Sequence, residues 1–429
     1  MGTQTGSYDK DGGHRYRRLR PGPGLSRGQV AADQQARLRR AVIEIVATDG
    51  YEALTVRGLT KRARISSGTL YKHYCSTDDC FLSTFDLICR HAAKRMTEAC
   101  QDERERRRGL AVAIERLLQD MADAPQAATF MLRAAPAAGP AFADRLWDSA
   151  MQLGLALEPL LSTEGRPLPR PLLEAIVAGL TRIGRVRVQA LARPETRTVT
   201  AEMVEWMTSL GGSPIQGASP VHAPIKPARK GDPSPAAGLD GGWMEPLGDD
   251  RAMILAATFR IARSGYHQLS VPRICREAGV ARRDFNRHFS GLEDCFLSAL
   301  EERVARTVAV MARRPPESAT KSGVPYIDLE TLCEALEDDV DGARVLLVEI
   351  TAAGTAGIDS RDRQISQIAT AWRALAPQDR RPSAIAAEAS TAAAWAAMQR
   401  WASGSRFGAA NALLPVLASL MEIKTDLFK

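Results

Sequence analysis

The chain repeats itself, and this constrains its fold more than any other feature. An offset of 215 positions lays Gly50-Tyr51 over Gly265-Tyr266, Leu54 over Leu269, Val56 over Val271, Ala63 over Ala278 and His73 over His288, without a gap. The same offset superimposes the identical pentapeptide DCFLS, at Asp79–Ser83 and Asp294–Ser298. Farther on, Ala137-Ala138-Gly139 falls opposite Ala352-Ala353-Gly354, a weaker match because both regions are alanine-rich. A duplicated unit of about 200 residues is the economical reading. A chain of 429 residues is long for one domain and comfortable for two, each with its own core.

Between the copies, residues 211–248 are rich in Pro, Gly, Ser and Ala and lack apolar periodicity. They read as a flexible linker whose r.m.s. span is roughly 35 Å, long enough for the copies to meet. Residues 1–30 are rich in Gly and Arg and read as a disordered basic arm.

The rest reads as helix. Leu38, Ala41, Val42, Ile45 and Val46 mark one apolar helical face, ended by Gly50. Thr55 opens a second helix as its N-cap, and Ser66-Ser67 announce a short third one over 68–74. Ser76, with Asp79 three residues on, starts a longer fourth helix through Phe81, Phe85 and Ile88. Helical patterns fill about 110–210 and 326–423, broken at Pro125, Pro136, Pro140, Pro167 and Pro377. No period-2 strand stands out in either copy. The fold class expected is all-α.

The net charge is +7, which weakly favours a polyanionic partner. Its distribution says more: Arg15, Arg17, Arg18, Arg20, Arg27, Arg37, Arg39 and Arg40 crowd the N-terminal stretch, followed by Lys61, Arg62, Arg64 and Lys72. Arg15–Arg20 read either as an arm that lies along DNA or as a solubilising tail. No apolar run reaches membrane-spanning length, the N-terminal stretch lacks the apolar segment of a signal peptide, and seven scattered cysteines make no disulfide framework. A reducing cytoplasm, at the bacterial nucleoid, is the expected compartment.

Two short helices joined by a tight turn, behind a supporting helix, make a compact DNA-reading unit. Such a unit presents small or polar side chains to base edges in the major groove. Hydroxyls, amides and cations nearby hold phosphates and fix the register. Ser66, Ser67, Thr69, Tyr71 and Lys72 meet that description, with Ile65, Leu70 and Tyr74 facing inward.

The segment DGYEALTVRGLTKRARISSGTLYKHY, Asp49–Tyr74, followed by DDCFLSTF, resembles the head of the tetracycline-repressor-like (TetR/AcrR) family of bacterial regulators. The resemblance implies two TetR-like units, each a three-helix helix-turn-helix head with a helical body that dimerises. It also implies a double-stranded DNA operator, repression as the usual outcome and, commonly, a small apolar effector held in the body. By motif position, Thr55 bonds a phosphate, Ser67, Gly68, Thr69 and Lys72 face bases or backbone, and Tyr71 reaches a phosphate. His73 takes a DNA-backbone or packing role. The expected organisation is an arm at 1–30, a head at 34–100, a body at 101–210, the linker at 211–248, a second head at 249–311 and a second body at 312–429.

The second copy keeps the frame but departs in detail. Ser270 replaces Thr55 as the cap, Arg282 and Arg283 replace Ser67 and Gly68, Asp284 replaces Thr69, and Asn286 replaces Tyr71. Arg260 stands where the first copy has Ile45, and Thr77 and Leu292 stand near a position where the family often carries Lys. Two readings stand. Arg282, Arg283, Asn286, Arg287 and His288 form a cationic reading face, or the second head has become structural. Asp284 argues for the latter unless it accepts from a cytosine amino group.

Other constellations carry less. His73, Cys75, Cys80, Cys89 and His91 match no common zinc spacing, and Cys80 and Cys295 sit in apolar helical runs; core packing is weighed above metal or redox sensing. The run Arg104–Arg108 reads as a solvated face ahead of a binding site. Phe130, Met131, Leu132, Phe142, Trp147, Met151 and Leu155 in one body, and Leu346, Leu347, Ile350, Trp372, Trp395, Met398 and Trp401 in the other, read as core and interface ahead of a pocket. No catalytic set and no cofactor motif is visible, so an enzyme is not expected. Two functions from different classes remain: a sequence-specific regulator, and a ligand-binding or interaction protein whose heads no longer read DNA. Two assemblies also remain: an intramolecular pseudo-dimer of the two copies, or a homodimer of chains.

Overall fold

The structure, a computed structural model, describes residues 26–162, 167–187, 193–211, 249–311, 329–376, 378, 381–404 and 410–421. Among them every regular element is helical, as the periodicity indicated. The chain divides into two compact units, Met1–Leu157 with Gly184–Thr196, and Glu158–Ile183 with Arg197–Lys429.

In the first unit, α1 (Arg27–Asp49) opens with a capping box. Ser26 Oγ accepts from Gln29 N at 3.2 Å, and Ser26 N donates to Gln29 Oε1 at 2.8 Å. Residues 27–30, which composition assigned to the arm, therefore belong to this helix. Reciprocal satisfaction of two terminal amides outweighs the glycine at position 28. Arg15–Arg20 lie outside the described residues. After Gly50, α2 (Val56–Ala63) and α3 (Ser67–His73) form the helix-turn-helix, and α4 (Thr77–Cys100) leads into the body. Leu38, Leu59, Leu70 and Phe81, one from each of the four helices, are fully buried and close the core of the head.

The turn between α2 and α3 is where the copies differ in backbone chemistry. Arg64 adopts the left-handed conformation at φ 53°, and at the matching position the second copy has Gly279 at φ 68°. A Cβ is disfavoured there by about 1–2 kcal/mol. Arg64→Gly is therefore expected to raise the stability of the first head by about 0.5–1 kcal/mol, after allowing for glycine's looser unfolded chain. The midpoint of urea unfolding measures it; an unchanged or lower midpoint would refute the strain account.

The body of this unit holds α5 (Arg106–Asp123), α6 (Pro125–Thr129), a π turn at Phe130–Ala134 and most of α7 (Ala143–Leu161). Pro125, Pro136 and Pro140 each open a new helical segment, as a residue without an N–H should. Head and body share an aromatic cluster. The Tyr51 ring lies 5.0 Å from Phe81 and 4.8 Å from Phe142, and Phe81 lies 5.7 Å from Phe130, all edge to face.

In the second unit the head is rebuilt by α10 (Asp250–Ala262), α11 (Val271–Ala278), α12 (Arg282–His288) and α13 (Leu292–Met311). Its core of Ile254, Phe259, Ile274, Phe285, Cys295 and Phe296 runs on into Val345, Ile350 and Ala353 of the body. Tyr266 N donates to the buried Glu349 carboxylate at 3.0 Å, and Arg263 and Arg303 converge on Asp339 at 2.6 and 3.4 Å. The body comprises α14 (Leu329–Asp338), α15 (Val340–Leu347), α16 (Gly354–Leu375), α17 (Ala384–Ala402) and α18 (Leu414–Met421). Two helices of the first repeat belong to this unit: all but the last residues of α8 (Arg170–Arg187), and α9 (Arg193–Gly211) from Arg197 onward. Among the described residues, no helix is long and apolar enough to cross a membrane.

Six of the seven cysteines are buried and only Cys75 is exposed. Burial pushes the Cys80 thiol up to about 12 and the Cys295 thiol up to about 11, so both remain protonated packing groups at neutral pH.

Candidate nucleic-acid interface

The short helix α3 has two faces of opposite character. Leu70 and Tyr74 are buried against the head, while Ser67, Gly68, Tyr71 and Lys72 are exposed. Tyr71 is 55% exposed, an unusual placement for a large ring that folding alone does not explain. Its neighbour Lys72 makes no ion pair among the described residues. Small side chains at 67 and 68 leave the N-terminal end of the helix low, so another surface could approach its backbone closely.

Ser66 and Thr69 do a different job from the rest. Ser66 Oγ accepts from Thr69 N at 3.1 Å and lies 2.9 Å from Thr69 Oγ1. They cap α3 and fix where it starts, satisfying amides that would otherwise be orphaned. That cap also explains why α3 begins at Ser67, one residue before the sequence-based start. Thr55 Oγ1 likewise accepts from Gly58 N at 3.1 Å at the start of α2. A hydroxyl that accepts inward keeps its proton to donate outward. Exposed Arg57, in the first turn of α2, stands beside it. Sequence reasoning did not single out Arg57; its place two residues after the cap was the available signal.

His73 is half-buried, with Nε2 2.9 Å from Gln34 Oε1 of α1. A carbonyl oxygen only accepts, so this nitrogen carries the proton. His73 therefore ties the end of α3 to α1, the packing alternative for this residue. Burial lowers its pKa, and the charges of Lys72 and Arg39 add to the effect. The unfolded chain then binds a proton before the folded head does. Stability should be fully present above the ordinary histidine value of 6.5 and decline as pH falls below it toward the lowered folded value. His73→Gln should flatten the decline between pH 7.5 and 5.5 in urea midpoints. An equal slope in both proteins would refute the assignment.

Arg37, counted above with the basic N-terminal stretch, is buried. It pairs with Asp33 at 3.0 Å and donates to Ala63 O and Arg64 O, each at 3.3 Å. Its charge completes the last carbonyls of α2 and holds the turn in place.

The second head keeps the exposed face but changes its chemistry. Arg282, Arg283, Asn286, Arg287 and His288 are all exposed, with Phe285 buried behind them. Arg282 and Arg283 make no ion pair among the described residues. Asp284 is half-buried and pairs with Arg287 at 3.2 Å, so its charge is met within α12. Ser270 occupies the cap position of α11, but its side chain makes no cap bond, contrary to the sequence expectation. Pro272 stands at the second helical position, where one terminal amide is already missing, so a side-chain cap has less to satisfy. Arg260 turns outward to Glu277 at 3.2 Å, which accommodates a charge where the first copy buries Ile45.

No curated protein matches the sequence. The family model described as bacterial regulatory proteins, tetR family, matches residues 39–84 and 254–299, two windows that are themselves 215 positions apart and that enclose the helix-turn-helix of each unit. The family's helix-turn-helix head is thus matched twice on an all-helical framework, which supports a tandem regulator of the tetR family.

Proposed function

We propose that the chain binds a specific duplex operator and represses transcription from it, with α3 as the main reading element. The observation that carries this is the pairing of exposed Tyr71 and Lys72 on a helix that packs Leu70, and Tyr74 at its end, into the head. Ser67 and Gly68 face bases or backbone, and Thr55 and Arg57 hold phosphates at the start of α2. Ser66, Thr69 and His73 position the helix and contribute through it.

The second head also binds, with a different preference. Pairing of Asp284 with Arg287 favours this, because it lessens carboxylate repulsion from phosphates. Arg282 and Arg283 suit guanine edges, Asn286 suits adenine, and Ser270, Arg287 and His288 suit the backbone. The two repeats associate within one chain as the two protomers of a family dimer do. Contacts of α8 and α9 with α16 and α17 inside the second unit support this reading. Family membership alone supports relief of repression by a small apolar effector in a helical body, and action at the bacterial nucleoid.

Selection of bound duplexes from a random pool by the full-length protein tests the proposal. An asymmetric site with two unlike half-sites is expected. A perfect palindrome bound by a dimer of chains would overturn the intramolecular pairing. Failure to enrich any sequence would overturn operator binding itself.

A further inference from the structure

Two buried polar contacts in the second unit join unlike partners. Arg182 of α8 is 1% exposed; its guanidinium donates to Asp362 O at 3.0 Å and to Ser366 Oγ at 2.7 Å, with the Glu388 and Asp362 carboxylates 3.7 and 3.8 Å away. Trp206 of α9 is equally buried and donates through Nε1 to Ser390 Oγ of α17 at 2.9 Å. Its ring occupies space that exists because residue 179 is glycine; a Cβ there would collide with it.

The repeat register shows what each partner replaces. Gly139 and Gly354 both take positive φ just ahead of α7 and at the start of α16, which anchors the offset of 215 in this region. In that register Trp147 and Met151 stand at the places of Asp362 and Ser366, Ala175 at that of Ser390, Ala397 at that of Arg182 and Met421 at that of Trp206. Neither repeat holds both halves of either contact.

We propose that this interface specifies an unlike partner: it fits one first repeat to one second repeat and disfavours like with like. The inference rests on the intramolecular pairing proposed above and adds the reason that the pairing stays intramolecular. Two first repeats meeting through the same helices set Arg182 against Met151 and Trp147, and Trp206 Nε1 against Ala175. A buried donor without an acceptor, or a buried charge without a counter-charge, costs more than a made pair gains. Two second repeats lose Arg182 from between Asp362 and Glu388, leaving Asp362 with Arg361 at 3.8 Å, and remove the indole N–H opposite Ser390. The mixed pair satisfies both contacts, in the manner of polar groups that fix partner choice in other helical interfaces.

The test uses the full chain with a protease site inserted between Gly211 and Asp249, cut after folding, and native mass as the readout. The intact chain is expected to be monomeric, and the cut chain to persist as a 1:1 complex of unlike fragments after long incubation. Redistribution into homodimers of either fragment would overturn the proposal while leaving the intramolecular pairing intact. A stable dimer of intact chains would overturn the pairing itself. Ser390→Ala is expected to weaken association of the cut halves about tenfold. Ser390→Ala and Trp206→Phe together should cost less than the sum of their separate effects, since the hydrogen bond is counted in both. Strict additivity would show that Trp206 acts by bulk alone, and would overturn its part in partner choice.

Discussion

Replacing Tyr71 and Lys72 together by alanine is expected to weaken operator binding by about 2–4 kcal/mol, roughly 30- to 1,000-fold, with little change in folding stability. Both side chains are exposed, and Leu70 and Tyr74 hold the inner face of α3 without them. Surface substitutions of this kind usually alter stability by less than about 0.5 kcal/mol, so a loss of binding can be assigned to the interface. The single variants separate two roles. If Lys72 holds a phosphate, Lys72→Ala weakens binding to all sequences and lowers the slope of log affinity against log salt by about 1. If it reads a base edge, the salt slope holds and selectivity relaxes at one position. Titration of labelled duplex at several salt concentrations measures both. Unchanged affinity in the double variant would remove α3 as the reading element.

Phe81→Ala is expected to destabilise the first unit by about 3–5 kcal/mol, the range for deleting a fully buried aromatic ring. Phe81 has no exposed surface, and its ring lies within 5.0–5.7 Å of Tyr51, Phe142 and Phe130. The ring therefore serves the head and the body at once, and its loss opens a cavity that both must line. Tyr51 is coupled to the same place, because its hydroxyl donates to Asp78 at 2.7 Å; burial and then Asp78 raise its pKa. Melting of full-length protein should show the first unit unfolding earlier, with the second unit's transition little changed. A loss below about 1 kcal/mol would mean that the cluster collapses around the gap. Phe296, equally buried and 4.8 Å from Tyr266, should behave alike in the second unit.

These two predictions fall on residues that differ in how legible they were. The identical pentapeptide DCFLS announced Phe81 and Phe296. All four of its paired core positions, Cys80 with Cys295 and Phe81 with Phe296, are fully buried. Helical spacing and local caps are written within a few residues of each other, so Thr55, Ser66 and Ser76 marked their helices correctly. The tetR heads followed from the same short-range pattern. Side-chain direction did not. Arg37 read as one more cation of the basic N-terminal stretch, and packing of α1 on α2 turned it inward onto two carbonyls. His73 read as a residue with two roles, and only the nearness of Gln34, 39 positions earlier, separated them.

The sequence by itself determined the duplication, the all-helical class and the two helix-turn-helix heads, because periodicity, capping and the family motif are all local. It left open which partners the buried groups of α8 and α9 find. That was decided by tertiary structure, through Arg182 and Trp206 reaching partners 180 to 184 positions away. A buried charge or indole N–H carries no mark in the sequence of the acceptor it needs; only the folded chain brings the two into a place without water, where leaving either unpaired is costly.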